Sequence, residues 1–277
     1  MNTTVTRTLS GLVFLAVMLS GFLINQYIFG ALFLAMLIGM LWEFFHMNMG
    51  RQHKVPRIIT MLLGAGMFAT MWSACVFDSI PFKYVSLNSI LVLALMVSIV
   101  LEKQQKDFRS ISYLFTGIMY IAVPLSLSNL VVFRGGEFSG ILMLSFFIII
   151  WASDVGAYCF GMLLGQKIWP AKLCPSISPK KSWAGFWGGM LTALAAAAIM
   201  HYTGLLGFPL AHCLAMAAIM NVLGVFGDLF ESMWKRAADV KDSGNLIPGH
   251  GGLMDRFDSA LFAIPAGVLY LVIASLI

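Results

Sequence analysis

The chain has 277 residues, 60% of them apolar and only 10% charged, with a mean hydropathy of +0.90 and a formal charge of +5. Soluble domains run at about half apolar and about a quarter charged. That balance excludes a soluble globular domain, a disordered chain, a collagen-like repeat and a nucleic-acid reader. The four cysteines, Cys75, Cys159, Cys174 and Cys213, form no CxxC pair, which removes a disulfide-stapled fold and carries no zinc or redox signal. The expected class is an all-α, polytopic transmembrane helical bundle.

A spanning helix needs about 20 apolar residues, and reading between charges and turn residues predicts about nine of them. The first two form a close pair, Leu9–Ile24 and Tyr27–Phe45, broken at Asn25-Gln26. Arg7 ahead of an apolar run resembles a signal peptide, but no small-x-small cleavage site closes the run. The third and fourth spans are Ile58–Phe77 and Tyr84–Leu101. The fifth is Ser110–Phe133, with a kink expected at Pro124, and the sixth is Phe138–Leu164. Residues Ser182 to Gly227 hold no charge and are too long for one span, so Tyr202–Pro209 divides them into a seventh and an eighth. The ninth is Ser259–Ile277. Residues 1–140 are read as N-terminal transmembrane helices. Residues 141–277 are read as a C-terminal transmembrane catalytic region.

Cytoplasmic loops carry the excess of Lys and Arg. The N-terminus and the loops after spans two, four, six and eight hold fifteen of the seventeen basic residues, leaving Lys83 and Arg134 on the other side. This predicts a cytoplasmic N-terminus. It also places the two long polar loops, Gly165–Lys181 and Lys235–Asp258, at the cytoplasmic face.

The chemistry gathers there. Asp228, Glu231, Ser232 and Lys235 stand at i, i+3, i+4 and i+7 and share one helical stripe. Asp255 and Asp258 follow Gly249-His250-Gly251-Gly252 as the last span begins. A carboxylate inside a span is expensive and is a functional-site hypothesis by default. Carboxylates from the end of one helix and the start of the next suit a hard cation, Mg2+ best, since it leaves coordination positions to water and phosphate oxygens. Lys235, Arg236, Lys241 and Arg256 supply the positive charge a polyphosphate needs, and glycines admit close approach of backbone N–H groups. Asp154 is a second intramembrane acid, expected on the wall of the same cavity. Glu43, at the end of span two, is read as an interfacial residue. His46 and His53 are read in a loop without acidic partners and His201 and His212 near the outer face, so none makes a metal set. Glycines 156, 161, 165, 185, 188 and 189 are expected to allow close helix packing. No GxxxxGK[ST] loop, GxSxG elbow or HExxH pair is present.

The polar run resembles the signature of the phosphatidate cytidylyltransferase (CDP-diacylglycerol synthase) family. Its fixed positions are met by Ser232, Lys235-Arg236, Lys241-Asp242, Gly244, Ile247-Pro248, His250-Gly251-Gly252, Asp255-Arg256 and Asp258, with Trp234 standing where an aliphatic residue or Phe is usual. Upstream, Asp154 with Ala157-Tyr158, and Ser178-Pro179-Lys180-Lys181-Ser182 with Gly185 and Gly188-Gly189, are similar to two further elements of that family. Met162 and a longer loop through Trp169-Pro170 depart from it. The likeness is dense from Trp151 to Asp258.

The resemblance implies transfer of the cytidylyl group of CTP to phosphatidate, giving CDP-diacylglycerol and pyrophosphate, with Mg2+ as cofactor and room for a second cation. It implies Asp228 and Asp255 as metal ligands, favoured over Asp242 and Asp258. It assigns catalytic roles to Lys235, Arg236, Lys241, Asp242, His250, Arg256 and Asp258. Asp154, Ser178, Lys180, Lys181, Ser232, Gly251 and Gly252 are the expected substrate-binding residues. The partners are CTP, phosphatidate and membrane lipid, with no nucleic acid, and a homodimer is left open; a bacterial chain would sit in the plasma (inner) membrane. Two other readings stand beside it. A CTP-dependent lipid or polyprenol kinase would move the γ-phosphate, and a transporter would place its acids near the midplane of repeated halves. A CDP-alcohol phosphotransferase lacks its motif here.

Overall fold

The computed structural model describes residues 3–77, 82–102, 108–134, 137–165, 168–249 and 251–277. The helices are α1 (Thr3–Leu23), α2 (Gln26–Met49), α3 (Lys54–Phe77), α4 (Phe82–Val100), α5 (Phe108–Val132), α6 (Ile141–Leu163), α7 (Trp183–Tyr202), α8 (Leu210–Ala237), the single turn α9 (Met254–Phe257) and α10 (Ala260–Ile273). Every predicted apolar stretch falls on a helix. Among the described residues, seven segments are long and apolar enough to cross a bilayer: α2, α3, α5, α6, α7, α8 and Met254–Ile273. The apolar parts of α1 and α4, Arg7–Leu23 and Val85–Val100, are shorter.

Local chemistry sets the breaks. Between α1 and α2 the Asn25 side chain accepts from the N–H groups of Tyr27 and Ile28 at 3.0 and 2.9 Å, so the predicted break is a helix N-cap. In α5 one π-helical turn, Ile118–Ala122, ends two residues before Pro124. Proline has no N–H to give the preceding turn, and a widened turn absorbs the mismatch.

Two stretches differ from expectation. The loop Gly165–Lys181 contains a strand (Lys172–Cys174) paired antiparallel with a second (Ser178–Ser182). The second strand's sequence, Ser-Pro-Lys-Lys-Ser, lacks the apolar alternation of a half-buried strand, and its proline is tolerated only because a two-stranded ribbon is all edge. The sixth span begins at Ile141 rather than Phe138. Phe138 belongs to a short strand (Glu137–Phe138) that pairs with Phe133–Arg134.

The chain forms two compact units, residues 1–139 with 238–256, and residues 140–237 with 257–277. In the first, α2 is the centre. Phe29, Phe33, Leu37, Met40, Leu41, Phe44 and Phe45 are fully buried, and the Phe29 and Phe33 rings stack at 4.4 Å. The opposite stripe of α2, with Ile28, Ile38 and Trp42, is exposed although apolar, the side a spanning helix can turn to lipid. In the second unit α6 and α7 lie close together. A Cβ on Gly185 would come within 2.9 Å of the Ala157 carbonyl oxygen, and one on Gly189 within 2.9 Å of that of Ser153. The expectation that small residues set this packing holds at these positions, and the Thr192 hydroxyl donates across the seam to the Ala152 carbonyl at 2.8 Å.

Candidate functional site

The second unit assembles its polar residues at the C-terminal end of α8. The helix carries Asp228, Glu231, Ser232, Lys235 and Arg236 in its last turns, ending at Ala237. Ser232 Oγ lies 3.3 Å from Asp228 Oδ1, and Lys235 Nζ lies 2.5 Å from Glu231 Oε2. Both are i, i+4 pairs on the predicted stripe. Glu231 is fully buried, so its carboxylate needs this cation.

The β-hairpin supplies the other side. Ser182 caps α7, its Oγ accepting from the Gly185 N–H at 3.1 Å. Adjacent in the chain, Lys181 Nζ meets Asp228 Oδ2 at 2.6 Å. Two motif segments, Ser178–Ser182 and Asp228–Lys235, are joined by this half-buried ion pair. Ser178 is partly buried and Lys180 exposed on the same strand. Asp154 on α6 is exposed, and Asp258 lies within electrostatic reach of both Asp154 and Asp228, with Lys235 opposing the like charges.

In the first unit the signature loop is organised around two carboxylates. Asp255 Oδ2 accepts from the backbone N–H groups of Ser243 and Gly252, at 2.9 and 2.7 Å, and lies 3.0 Å from Ser243 Oγ. A small antiparallel bridge, Ile247 to Gly251, closes the intervening turn. Gly249 and Gly251 take φ of +76° and +84°, where glycine alone is unstrained. Lys241, Asp242 and Arg256 are exposed; His250 lies outside the described residues.

The second carboxylate is Glu43, and here the interfacial reading is corrected. Glu43 is 2% exposed. Its Oε1 accepts from the Leu253 N–H at 2.9 Å and its Oε2 from the Met254 N–H at 2.9 Å. A carboxylate in the buried centre of a unit persists only where donors satisfy it, and the signature loop brings them. The available signal was a lone acid in a stretch free of other charge.

Among the histidines outside the signature, His53 does have an acidic neighbour, contrary to expectation, with its Nδ1 3.7 Å from Glu102 Oε2. His201 Nδ1 is 2.9 Å from the Phe208 carbonyl, and His212 Nδ1 is 2.8 Å from the Tyr270 hydroxyl. Among the described residues no three His, Cys, Asp or Glu side chains form a metal-ligand group. The donor chemistry of each unit taken by itself suits a hard cation, since Asp228 and Asp258 in the second and Asp255 in the first offer carboxylate oxygens.

Long apolar helices carrying ion-paired, phosphate-suited side chains at one helix end define a multi-pass membrane protein with a charged site. The model of the cytidylyltransferase family matches residues 5–274. The chain is 33% identical over 269 residues to the phosphatidate cytidylyltransferase of Bacillus subtilis, covering 97% of each chain. It is 33% identical over 264 residues to that of Staphylococcus epidermidis, covering 95% of each. To that of Staphylococcus aureus strain COL it is 31% identical over 270 residues, again covering 95% of each. The chain belongs to the cytidylyltransferase family.

Proposed function

We propose that the protein transfers the cytidylyl group of CTP to phosphatidate at the cytoplasmic face of the membrane, forming CDP-diacylglycerol and pyrophosphate. The observation that carries this reading is the Lys181–Asp228 ion pair, which draws the two polar motifs of the second unit to one point. A phosphate oxygen of the lipid attacks the α-phosphorus of CTP. The new P–O bond forms as the bond from the α-phosphorus to the β-bridging oxygen breaks, and pyrophosphate departs with that electron pair. Such a transfer needs positioning and charge neutralisation rather than a covalent nucleophile.

The roles follow from the side chains. Lys181, Lys235 and Arg236 neutralise phosphate oxygens, with Lys180 and Ser178 lining the approach; Lys241 and Arg256 extend the positive surface of the signature loop. Ser232 orients Asp228. Asp228 and Asp255 are the proposed Mg2+ ligands, with Asp242 and Asp258 in support. Mg2+, when bound, would neutralise the triphosphate and stabilise the leaving pyrophosphate. In the first unit Leu9, Val13, Met36, Pro248 and Leu253 help line an apolar cavity of about 500 Å³. Two of those residues belong to the signature loop. Its lack of charge suits an acyl chain of the lipid substrate and no part of a nucleotide.

The direct test follows label from CTP into phosphatidate in detergent with Mg2+. Label on the α-phosphate is expected to enter the lipid phase while γ-label leaves as pyrophosphate. Transfer of γ-label instead would move the protein to the lipid kinases. No transfer from either position, across lipid acceptors, would sink the enzyme reading. In the same assay Lys181→Met, which keeps the aliphatic stem and deletes the cation, is expected to raise KM for CTP about tenfold, the worth of one charge-assisted hydrogen bond.

A further inference from the structure

Glu43 lies on α2, outside the segment that carries the signature, and the reaction above makes no use of it. Yet it is among the most completely buried acids in the described chain, and its partners all come from the loop that bears Asp255. The connection to Asp255 runs through one residue. The Ser243 hydroxyl stands 3.3 Å from Glu43 Oε2 and 3.0 Å from Asp255 Oδ2, its single proton shared between two acceptors. The Ser243 N–H then donates to Asp255, as does that of Gly252. The clamp is tight as well as bonded. A Cβ on Gly252 would lie 2.6 Å from Glu43 Oε2, and one on Gly244 2.7 Å from Glu43 Oε1.

We infer that Glu43 is a positioning residue for Asp255: it anchors both ends of the loop from Ser243 to Met254, and so fixes the direction in which the Asp255 carboxylate points. Two carboxylate oxygens are required. Oε1 serves the Leu253 N–H and Oε2 serves the Met254 N–H, so both atoms must accept. An amide has a single acceptor oxygen, and its NH2 would face a backbone donor. A carboxylate one methylene shorter keeps both acceptors and loses only reach. An anchor that only added stability would leave the metal dependence of the reaction unchanged, whereas an anchor that aims a metal ligand shifts it.

This inference rests on the proposed cytidylyl transfer for its kinetic half and is independent of it for the other. Glu43→Gln, Glu43→Asp and Ser243→Ala would each be purified in detergent and compared with the native chain. The first readout is amide hydrogen exchange over residues 243–255. It is expected to accelerate at least tenfold in Glu43→Gln, with Glu43→Asp intermediate. The second is the Mg2+ concentration giving half-maximal transfer. It is expected to rise about tenfold in Glu43→Gln and severalfold in Ser243→Ala, with KM for phosphatidate unchanged. Native exchange rates in Glu43→Gln would overturn the clamp itself. Faster exchange with an unchanged Mg2+ requirement would reduce Glu43 to a structural anchor and overturn its positioning role. If Glu43→Gln does not fold, Ser243→Ala decides the question, because it cuts only the link between the two carboxylates. If the native protein transfers no cytidylyl group, the exchange result still stands or falls alone.

Discussion

Asp228→Asn is expected to lower kcat for cytidylyl transfer about a thousandfold while leaving the protein folded. The amide matches the carboxylate in shape and its oxygen still accepts from Ser232, which lies 3.3 Å away. What vanishes is the negative charge beside Lys181 Nζ, 2.6 Å away. With it goes the strongest oxygen donor that α8 offers a hard cation. Removing one preorganised electrostatic group from a reacting site costs about a hundredfold to a thousandfold, and the metal-binding role proposed for Asp228 puts its loss at the upper end. The check is single-turnover transfer of α-label at saturating CTP, beside a melting curve. A native rate would remove Asp228 from the machinery. A collapsed melting curve would instead assign it to the scaffold.

The second large effect concerns stability. At Gly156 on α6 even a Cβ would strike the Thr192 side chain and come within 2.8 Å of the Gly188 carbonyl oxygen. Backbone cannot swing aside as a flexible side chain can, so Gly156→Ile must push the two helices apart and break the Thr192 hydroxyl's bond to Ala152. Overpacking of this kind costs about 3 kcal/mol at the upper end of its usual range, which for a chain of this size lowers Tm by about 10 °C. Gly207→Ala is the control, since nothing lies within 4 Å of its Cβ. Thermal unfolding in detergent should separate the two variants, and equal melting temperatures would show that the α6–α7 seam tolerates spreading.

The helices were legible because hydropathy in a membrane chain is a strong, local signal. Asn25 and Pro124 could be marked as punctuation for the same reason, each acting on its own turn. The stripe Asp228–Ser232–Lys235 followed from helical spacing alone. The hairpin at Lys172–Ser182 was not legible, since its strands are polar and contain Pro179, and its pairing depends on the chain turning back rather than on any periodicity. Glu43 was misjudged for a different reason. Its partners are Ser243, Leu253 and Met254, 200 to 211 residues away, and no local pattern encodes a contact that distant. The metal and substrate roles rest on the resemblance of motifs and on the chemistry of the side chains, and the variants above are what would establish them.

The distance in sequence between Glu43 and its donors also matters while the protein is being made. Helix α2 is made long before the signature loop, and it carries an acid that the bilayer disfavours until donors satisfy it. The two N–H groups that satisfy it, those of Leu253 and Met254, are synthesised 210 and 211 residues later. A nascent chain that stalls before residue 253 therefore exposes an unneutralised acid to lipid or to the insertion machinery. That acid is a built-in mark of incompleteness, which the finished protein erases by folding its last loop over it.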